Sequence, residues 1–478
     1  MRKLNVLAVS VMAALMAAPA MADDDGPTFD FHGCMRSGIG HYSHGGSVVS
    51  FDNKNVGRLG NEGDSYLETE FGSRLFKKGD TEFYLDTMLG YAANDNNDYE
   101  GTGFFNLGSG SSSSSMNVGL RQLNLQAKGI IPGQKDAVIW AGKRYYQRHD
   151  IHLWDKYYMD ISGAGAGIEN LKIGPGQLSI AWTRKSNNGL NYEIDGNLKE
   201  EGRPTYIGWD KDSGKLTKSY GEWLNVNFYD IRYAGSYWDG GWLEFIATFE
   251  NPESPDGYSF RNGDKYVNTY ADGTTIKDST GKDSTGTNYD PRNGFQLTTN
   301  IVFSGSWGWN KTALQFGTHS WVTGGAYVNP SRDLRDAKIY RFINQGEITP
   351  FDDKNFHFSH AVRYTYFDYG DSETEVDNEK EFAVIVRPSY KVNSYGRVEA
   401  DVGLYWDKKD GQGDLQEQKY TLAYAISPTD TNWAQLQIMF YGTYLHVSNN
   451  NERLKTMFND QNSYDSAFQF GVQAEAWW

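Results

Sequence analysis

The feature that most constrains this chain is a strict two-residue alternation, shown clearly by residues 468–478, FQFGVQAEAWW. Phe470, Val472, Ala474, Ala476 and Trp478 fall on one face, and Gln469, Gln473, Glu475 and Trp477 on the other, because successive side chains of a strand point to opposite sides. A barrel in the bacterial outer membrane uses such a strand. Its apolar face meets lipid, aromatic girdles sit at the interfaces, and the last strand closes against the first. The final strand of an ordinary secreted β-protein would read alike, so this segment leaves both open. Residues 433–444 repeat the pattern. Trp433, Gln435, Gln437, Met439, Tyr441 and Thr443 point one way, and Ala434, Leu436, Ile438, Phe440 and Tyr444 the other. A sandwich would turn the apolar row into a core, so alternation alone does not discriminate.

The beginning of the chain supplies a compartment. Arg2 and Lys3 precede a largely apolar run to Ala18, and Ala20-Met21-Ala22 has the small-x-small form of a signal-peptidase site, placing the mature start at Asp23. Residues 1–22 therefore read as a signal peptide and 23–478 as one domain. No later stretch approaches the ~20 apolar residues of a membrane helix. Only 38% of residues are hydrophobic and mean hydropathy is −0.64, yet 15% are aromatic, with 32 Tyr, 25 Phe and 14 Trp. Alternation reconciles these numbers, since a barrel strand needs apolar residues only at every second position and its lumen is wet. The formal charge of −16 argues against a nucleic-acid partner, which calls for basic surface. Cys34 is the only cysteine, which excludes an intrachain disulfide and a cysteine-based metal site.

Strand-like segments with turn signals between them recur from Phe29 onward, and no amphipathic helix of domain scale interrupts them. They include residues 65–71, 81–91, 177–183, 242–249, 295–303, 312–321, 356–367, 382–392, 397–406, 419–426 and 433–447. Connections come in two sizes. Short turns at 78–80 and 306–310 contrast with long polar stretches at 101–117, 185–222, 251–292 and 448–465, as expected of periplasmic turns and extracellular loops. The serine run 111–115 reads as a flexible tip.

Two clusters carry the chemistry. In the first, residues 29–38 (FDFHGCMRSG) and 58–68 (RLGNEGDSYLE), alternation puts Asp30, His32, Cys34 and Arg36 on one face and Tyr66, Glu68 and Glu70 on one face of a neighbouring strand. Arginines, carboxylates and tyrosines on one wall suit a sugar, whose hydroxyls exchange hydrogen bonds with charged groups while aromatic rings cover its apolar faces. The second, residues 141–167, brings Arg148, His149, Asp150, His152 and Asp155 close together. A metal site is one reading, against which HDIH lacks the helical i, i+4 spacing and further ligands. Asp150 and Asp155 could pair as glycosidase carboxylates. A solvated loop laced with salt bridges is a third reading, and a charged loop that narrows a pore a fourth.

Taken together, FHGCMRSGIG, RLGNEGDSY, WAGKRYYQRHDIHLWDKYYMDISGAGAG, the segment Gly308-Trp309-Asn310-Lys311, VRPSYK and the terminal AEAWW resemble, in order and over nearly the whole chain from Phe29, the maltoporin family of outer-membrane sugar porins. The resemblance implies an all-β, transmembrane antiparallel barrel of about 18 strands with an inward-folded constriction loop, assembled as a homotrimer. It implies passive passage of maltose and maltodextrins, no enzymatic activity and no cofactor. The family's aromatic slide falls on Tyr66, Tyr99, Trp309, Trp433 and Trp477, with Tyr99 contributed from a neighbouring subunit. Its polar track falls on Arg36, Arg58, Glu68, Arg121, Arg148, Asp150, His152 and Asp155, with Tyr157 as the constriction tyrosine.

Three departures bear on affinity. Cys34 stands where the family usually has a slide tyrosine, Gly63 where some members have a loop cysteine, and Tyr99 where a tryptophan is usual. Two other functions remain open: a porin of the same family for another saccharide such as sucrose, and a secreted carbohydrate-binding or carbohydrate-active β-sandwich.

Overall fold

The computed structural model describes residues 27–45, 50–93, 117–192, 205–210, 215–253, 265–267, 285–287, 293–323, 334, 336–350, 353–370, 376–428, 436–448 and 465–478. The expected signal peptide, Tyr99 and Trp433 lie outside them.

The chain runs through β1 (Thr28–Tyr42), β2 (Ser65–Lys78), β3 (Thr81–Ala93), β4 (Asn117–Lys128) and β5 (Val138–Arg144). A small hairpin of β6 (His149–Ile151) and β7 (Lys156–Met159) follows, then β8 (Gly163–Ile173), β9 (Gly176–Tyr192), β10 (Thr205–Asp210), β11 (Lys215–Trp238) and β12 (Gly241–Glu253). After the hairpin of β13 (Lys265–Val267) and β14 (Thr285–Thr287) come β15 (Gly294–Gly305), β16 (Gly308–Thr318), β17 (Lys338–Ile348) and β18 (Phe356–Asp368). The chain finishes with β19 (Asn378–Lys391), β20 (Gly396–Lys409), β21 (Leu415–Ile426), β22 (Leu436–Ser448) and β23 (Ser466–Trp477). The main sheet has 19 strands, of which β10 only extends the far end of β11. The other eighteen form a closed antiparallel wall.

Closure is made by β23 lying against β1, from Cys34 opposite Trp477 to Tyr42 opposite Gln469. The Trp478 and Gly33 backbones exchange N–H···O bonds of 3.1 Å beyond the last ladder pair. Gly33 has to be glycine, because a Cβ there would come within 2.5 Å of both the Trp478 ring and the Glu68 carbonyl oxygen. With every edge paired, the two faces of each strand become an outside and a lumen rather than two sides of a sandwich. Phe468 and Phe470 in β23, and Trp478 just after it, are exposed outward, whereas Gln469 and Gln473 are buried inward. In β22, Leu436, Ile438, Phe440 and Tyr444 look out and Met439, Tyr441 and Thr443 look in. The apolar rows are thus the outer surface, the alternative that alternation alone leaves open.

Several boundaries differ from expectation. The polar stretch 185–222 is largely strand, with β9 running to Tyr192 and β11 starting at Lys215, and Tyr192 pairs with Tyr220. The stretch is rich in polar residues and carries little of the apolar alternation by which strands are recognised. The turn expected over 306–310 is shorter, since β16 begins at Gly308. That strand ends at Thr318, and Trp321 sits in a 3-10 turn, His319–Thr323. Part of 251–292 also pairs, as the end of β12 and the hairpin of β13 with β14. Among the described residues no helix is long and apolar enough to cross a membrane.

The apolar core lies inside the barrel. Two segments fold inward: residues 50–64, with a one-turn helix α1 (Asn53–Val56), and residues 145–162, with the β6–β7 hairpin. Phe51, Val56, Ile151, Trp154, Met159 and Ile161 are fully buried against inward residues such as Val226, Phe228, Ile343 and Ile385. Hydrogen bonds fix both segments to the wall. Thr421 donates to the Leu59 carbonyl and Thr443 to the Gly60 carbonyl, while Tyr158 donates to Asn300 (2.8 Å) and Gln345 to the Asp150 carbonyl (2.7 Å). The segments also meet each other, Arg58 N–H donating to the Leu153 carbonyl at 3.1 Å. Together they cover much of the inner wall, and beside them Arg36 on β1, Tyr66 and Glu68 on β2 and Arg121 on β4 stay at least partly exposed. The sequence pointed to one inward loop; the structure has two.

Candidate functional site

Register builds the site's first wall. Pairing of β1 with β2 sets Arg36 opposite Tyr66, Cys34 opposite Glu68 and His32 opposite Glu70, so the residues that alternation assigned to common faces do share one wall. Glu68 is its hub. The Tyr66 hydroxyl donates to its carboxylate at 2.5 Å and the Tyr145 hydroxyl at 2.7 Å, Arg121 Nε lies 3.8 Å away, and Cys34 Sγ is 4.0 Å from its other oxygen. Arg121 also donates to the Tyr66 hydroxyl at 3.1 Å, and the Arg36 guanidinium stands 5.4 Å from the Tyr66 ring centre. Such a network holds donors and acceptors in fixed directions along a wet wall.

The second wall is the inward loop. Arg148 is stacked between two tyrosines, its guanidinium carbon 3.5 Å from the Tyr145 ring centre and 4.4 Å from that of Tyr157. Tyr157 is 43% exposed, and Asp150 and Asp155 are exposed beside it. Asp155 adopts a left-handed conformation (φ 48°) and lies 3.7 Å from Arg36, linking loop to wall. His149 is tied elsewhere, to Glu244 at 2.8 Å and to Lys311 at 3.1 Å. Among the described residues no group of three or more His, Cys, Asp or Glu side chains is arranged to hold a metal.

The remaining expected residues divide. Arg58 is only 7% exposed and is consumed by Glu62 (3.0 Å), Glu475 (2.6 Å) and His152 (3.1 Å). It holds the junction of the two inward segments rather than facing the channel. His152 is half-buried with its ring edge-on to Trp477, centroids 4.8 Å apart; burial and then Arg58 keep it well below the usual histidine range. Trp477 lies on the lumen face near the short-turn end, lining a small polar pocket with Arg58, His152, Gln473 and Glu475. Trp309 also faces inward, at the start of β16 on the opposite wall. The structure therefore joins Tyr66, Glu68, Arg36 and Arg121 in one network, sets Arg148, Asp150, Asp155 and Tyr157 facing it, and keeps Trp309 and Trp477 apart at the lower end.

Sequence reading passed over four residues that complete this arrangement: Tyr145, Glu62, Asp64 and Glu475. Glu62 and Asp64 hold Arg36 at 2.9 and 3.0 Å. Tyr145 lies within the KRYYQRHD motif, Glu475 shares the face of Trp477, and Glu62 and Asp64 lie within the RLGNEGDSYLE cluster, so all four carry a signal in the sequence.

Comparisons with known proteins give the family. A family model described as LamB porin matches residues 29–478. Maltoporin 1 of Klebsiella pneumoniae subsp. pneumoniae is 35% identical over 486 residues, covering 99% of each chain. Maltoporin 1 of Aeromonas salmonicida is 35% identical over 492 residues, covering 100% of this chain and 99% of the relative. Among solved structures, a BenF-like porin from Pseudomonas fluorescens aligns with a TM-score of 0.47 at 10% identity, over 94% of this chain and 98% of that one.

Proposed function

The chain belongs to the LamB porin family, and from that membership we propose that it is an outer-membrane channel for maltose and maltodextrins, working as a homotrimer, without catalysis and without a cofactor. The aromatic residues Tyr66, Trp309 and Trp477, joined by Tyr99 and Trp433, cover the apolar faces of successive glucose rings. Cys34 leaves one such platform vacant. Glu68, Arg36, Arg121, Arg148, Asp150 and Asp155 exchange hydrogen bonds with ring hydroxyls, and Tyr157 sets the width of the gap. Export relies on removal of residues 1–22.

The observation that carries this reading is one continuous polar and aromatic tier: the Tyr66–Glu68–Arg121 network on β2 and β4 is joined through the Tyr145 hydroxyl to the stacked Tyr145–Arg148–Tyr157 group of the inward loop. Each contact is weak and several lie along the path, which is what flux requires, since one tight site would stop movement. Sugars then move down their gradient by exchanging one set of partners for the next.

Conductance in planar bilayers tests the reading. Maltohexaose is expected to block the current in steps, at far lower concentration than sucrose. Equal block by the two sugars would reassign the channel to another saccharide, and indifference to both would overturn the sugar-channel reading.

A further inference from the structure

The outer surface carries a polarity switch that transport does not explain. One outward row runs across six strands as Leu125, Ala141, Ala166, Trp182, Tyr229 and Phe249, each paired with the next. The row two residues nearer the long connections reads Leu123, Lys143, Ala164, Arg184, Asn227 and Asn251, again each paired with the next. Apolar and aromatic side chains thus give way within one step to two cations and two amides. On a lipid-facing wall this marks the end of the hydrocarbon band, with Trp182, Tyr229 and Phe249 as its girdle.

Arg184 is held in place. Its Nε donates to Asn227 Oδ1 at 2.9 Å, and the Trp182 indole N–H donates to the same oxygen at 3.0 Å. Asn227 is 1% exposed beneath them, although it points outward. The guanidinium also lies 5.5 Å from the Trp182 ring, so its Nε is spent and its remaining N–H groups are left for another acceptor. Lys143 is exposed on the same row, one strand beyond Ala164, with its amine on the Leu120 carbonyl. The two cations are separated by two strand spacings, roughly 10 Å between backbones, over the small Ala164 side chain. Among the described residues neither has an ion-pair partner. This is unusual for a chain whose formal charge is −16.

We propose that Lys143, Ala164 and Arg184, braced by Asn227 and Trp182, form a docking site for the phosphate groups of an anionic outer-leaflet lipid headgroup. Charge complementarity selects the occupant. Two cations with no ion-pair partner among the described residues, immediately above an aromatic girdle at the headgroup level, meet phosphate oxygens while the lipid's chains lie along the apolar row below. The alanine floor lets the headgroup approach the wall.

The test uses the full-length protein in nanodiscs of phosphatidylcholine doped with diphosphorylated lipid A or with its dephosphorylated form, with retained lipid read by native mass spectrometry. Wild type is expected to prefer the phosphorylated lipid, and Lys143→Gln and Arg184→Gln each to lower that preference about fivefold. Lys380→Gln with Lys408→Gln, two exposed lysines on β19 and β20, should leave it unchanged. Equal retention by wild type and both Lys143 and Arg184 variants overturns the site. So does competition by free inorganic phosphate as effective as by lipid, which would make it a soluble-anion site. Loss of the assembled oligomer with unchanged lipid retention would instead assign the face to contact between copies. Each single variant is scored separately, so failure of one to fold leaves the other to decide.

Discussion

Along β1 and β2, Arg36, Tyr66 and Glu68 stand half-buried beside the open channel, whereas along β19 to β21 Arg387, Asp401 and Lys419 are sealed from it. In the sealed cluster Asp401 accepts from Arg387 at 2.6 and 3.0 Å and from Lys419 at 3.1 Å. The backbone of Gly57, in the first inward segment, lies directly over it: a Cβ there would be 3.3 Å from Lys419 Nζ and 3.4 Å from an Asp401 oxygen. Both sides pair cations with carboxylates; what differs is the extent of cover. Where an inward segment seals the wall, ion pairs seat that segment. Where the cover is partial, similar groups keep an exposed edge for a passing ligand.

The comparison breaks most easily on the sealed side. Asp401→Ala leaves two buried cations without their carboxylate and should cost about 3–5 kcal/mol, read as a lower unfolding temperature in detergent. Unchanged stability would mean that the cluster does not seat residues 50–64. On the open side Glu68→Gln should scarcely move the unfolding temperature but should weaken maltohexaose block by roughly 1–3 kcal/mol, the worth of hydrogen bonds to a charged group. A variant that loses stability and keeps the block would reverse the assignment of the two walls.

Lys156 sharpens the boundary between them. It is half-buried in the inward hairpin with its amine 3.4 Å from Asn55. Burial first, and then Arg363, pull its amine from the ordinary lysine value of 10.5 to about 7. Between pH 7 and pH 10 the unfolded chain therefore binds more protons than the folded one at this position, and stability rises with pH. Unfolding measured across that range should show the rise in wild type and a flatter profile in Lys156→Met; identical slopes would place Lys156 outside the seating of the loop. The smallest effect is expected from Cys34→Tyr, which adds a ring beside Trp477 and Glu68 and should tighten maltohexaose block by about 0.5–1.5 kcal/mol.

Much of this was readable in the chain because period-2 alternation reports the two faces of a strand whatever the loops do. Phe470 and Gln473 were assigned opposite faces by spacing alone, and the register of β1 against β2 then placed Cys34 opposite Glu68 and Arg36 opposite Tyr66. Cover was not readable. Arg36 and Arg58 occur in similar surroundings in the sequence, and only the folding-in of residues 50–64 makes one a channel-side group and the other a buried tie to Glu475 and His152. The far ends of β9 and β11 were not readable either, since a polar stretch without apolar alternation gives no strand signal.

The most direct test of the division between covered and open walls is maltohexaose block of Tyr66→Ala with Trp477→Ala in planar bilayers. Removing two stacking rings should raise the half-blocking concentration by more than tenfold while ion conductance through the open channel persists and the unfolding temperature changes little. Block as tight as in wild type would contradict the account, because the open wall would then hold no part of the sugar path.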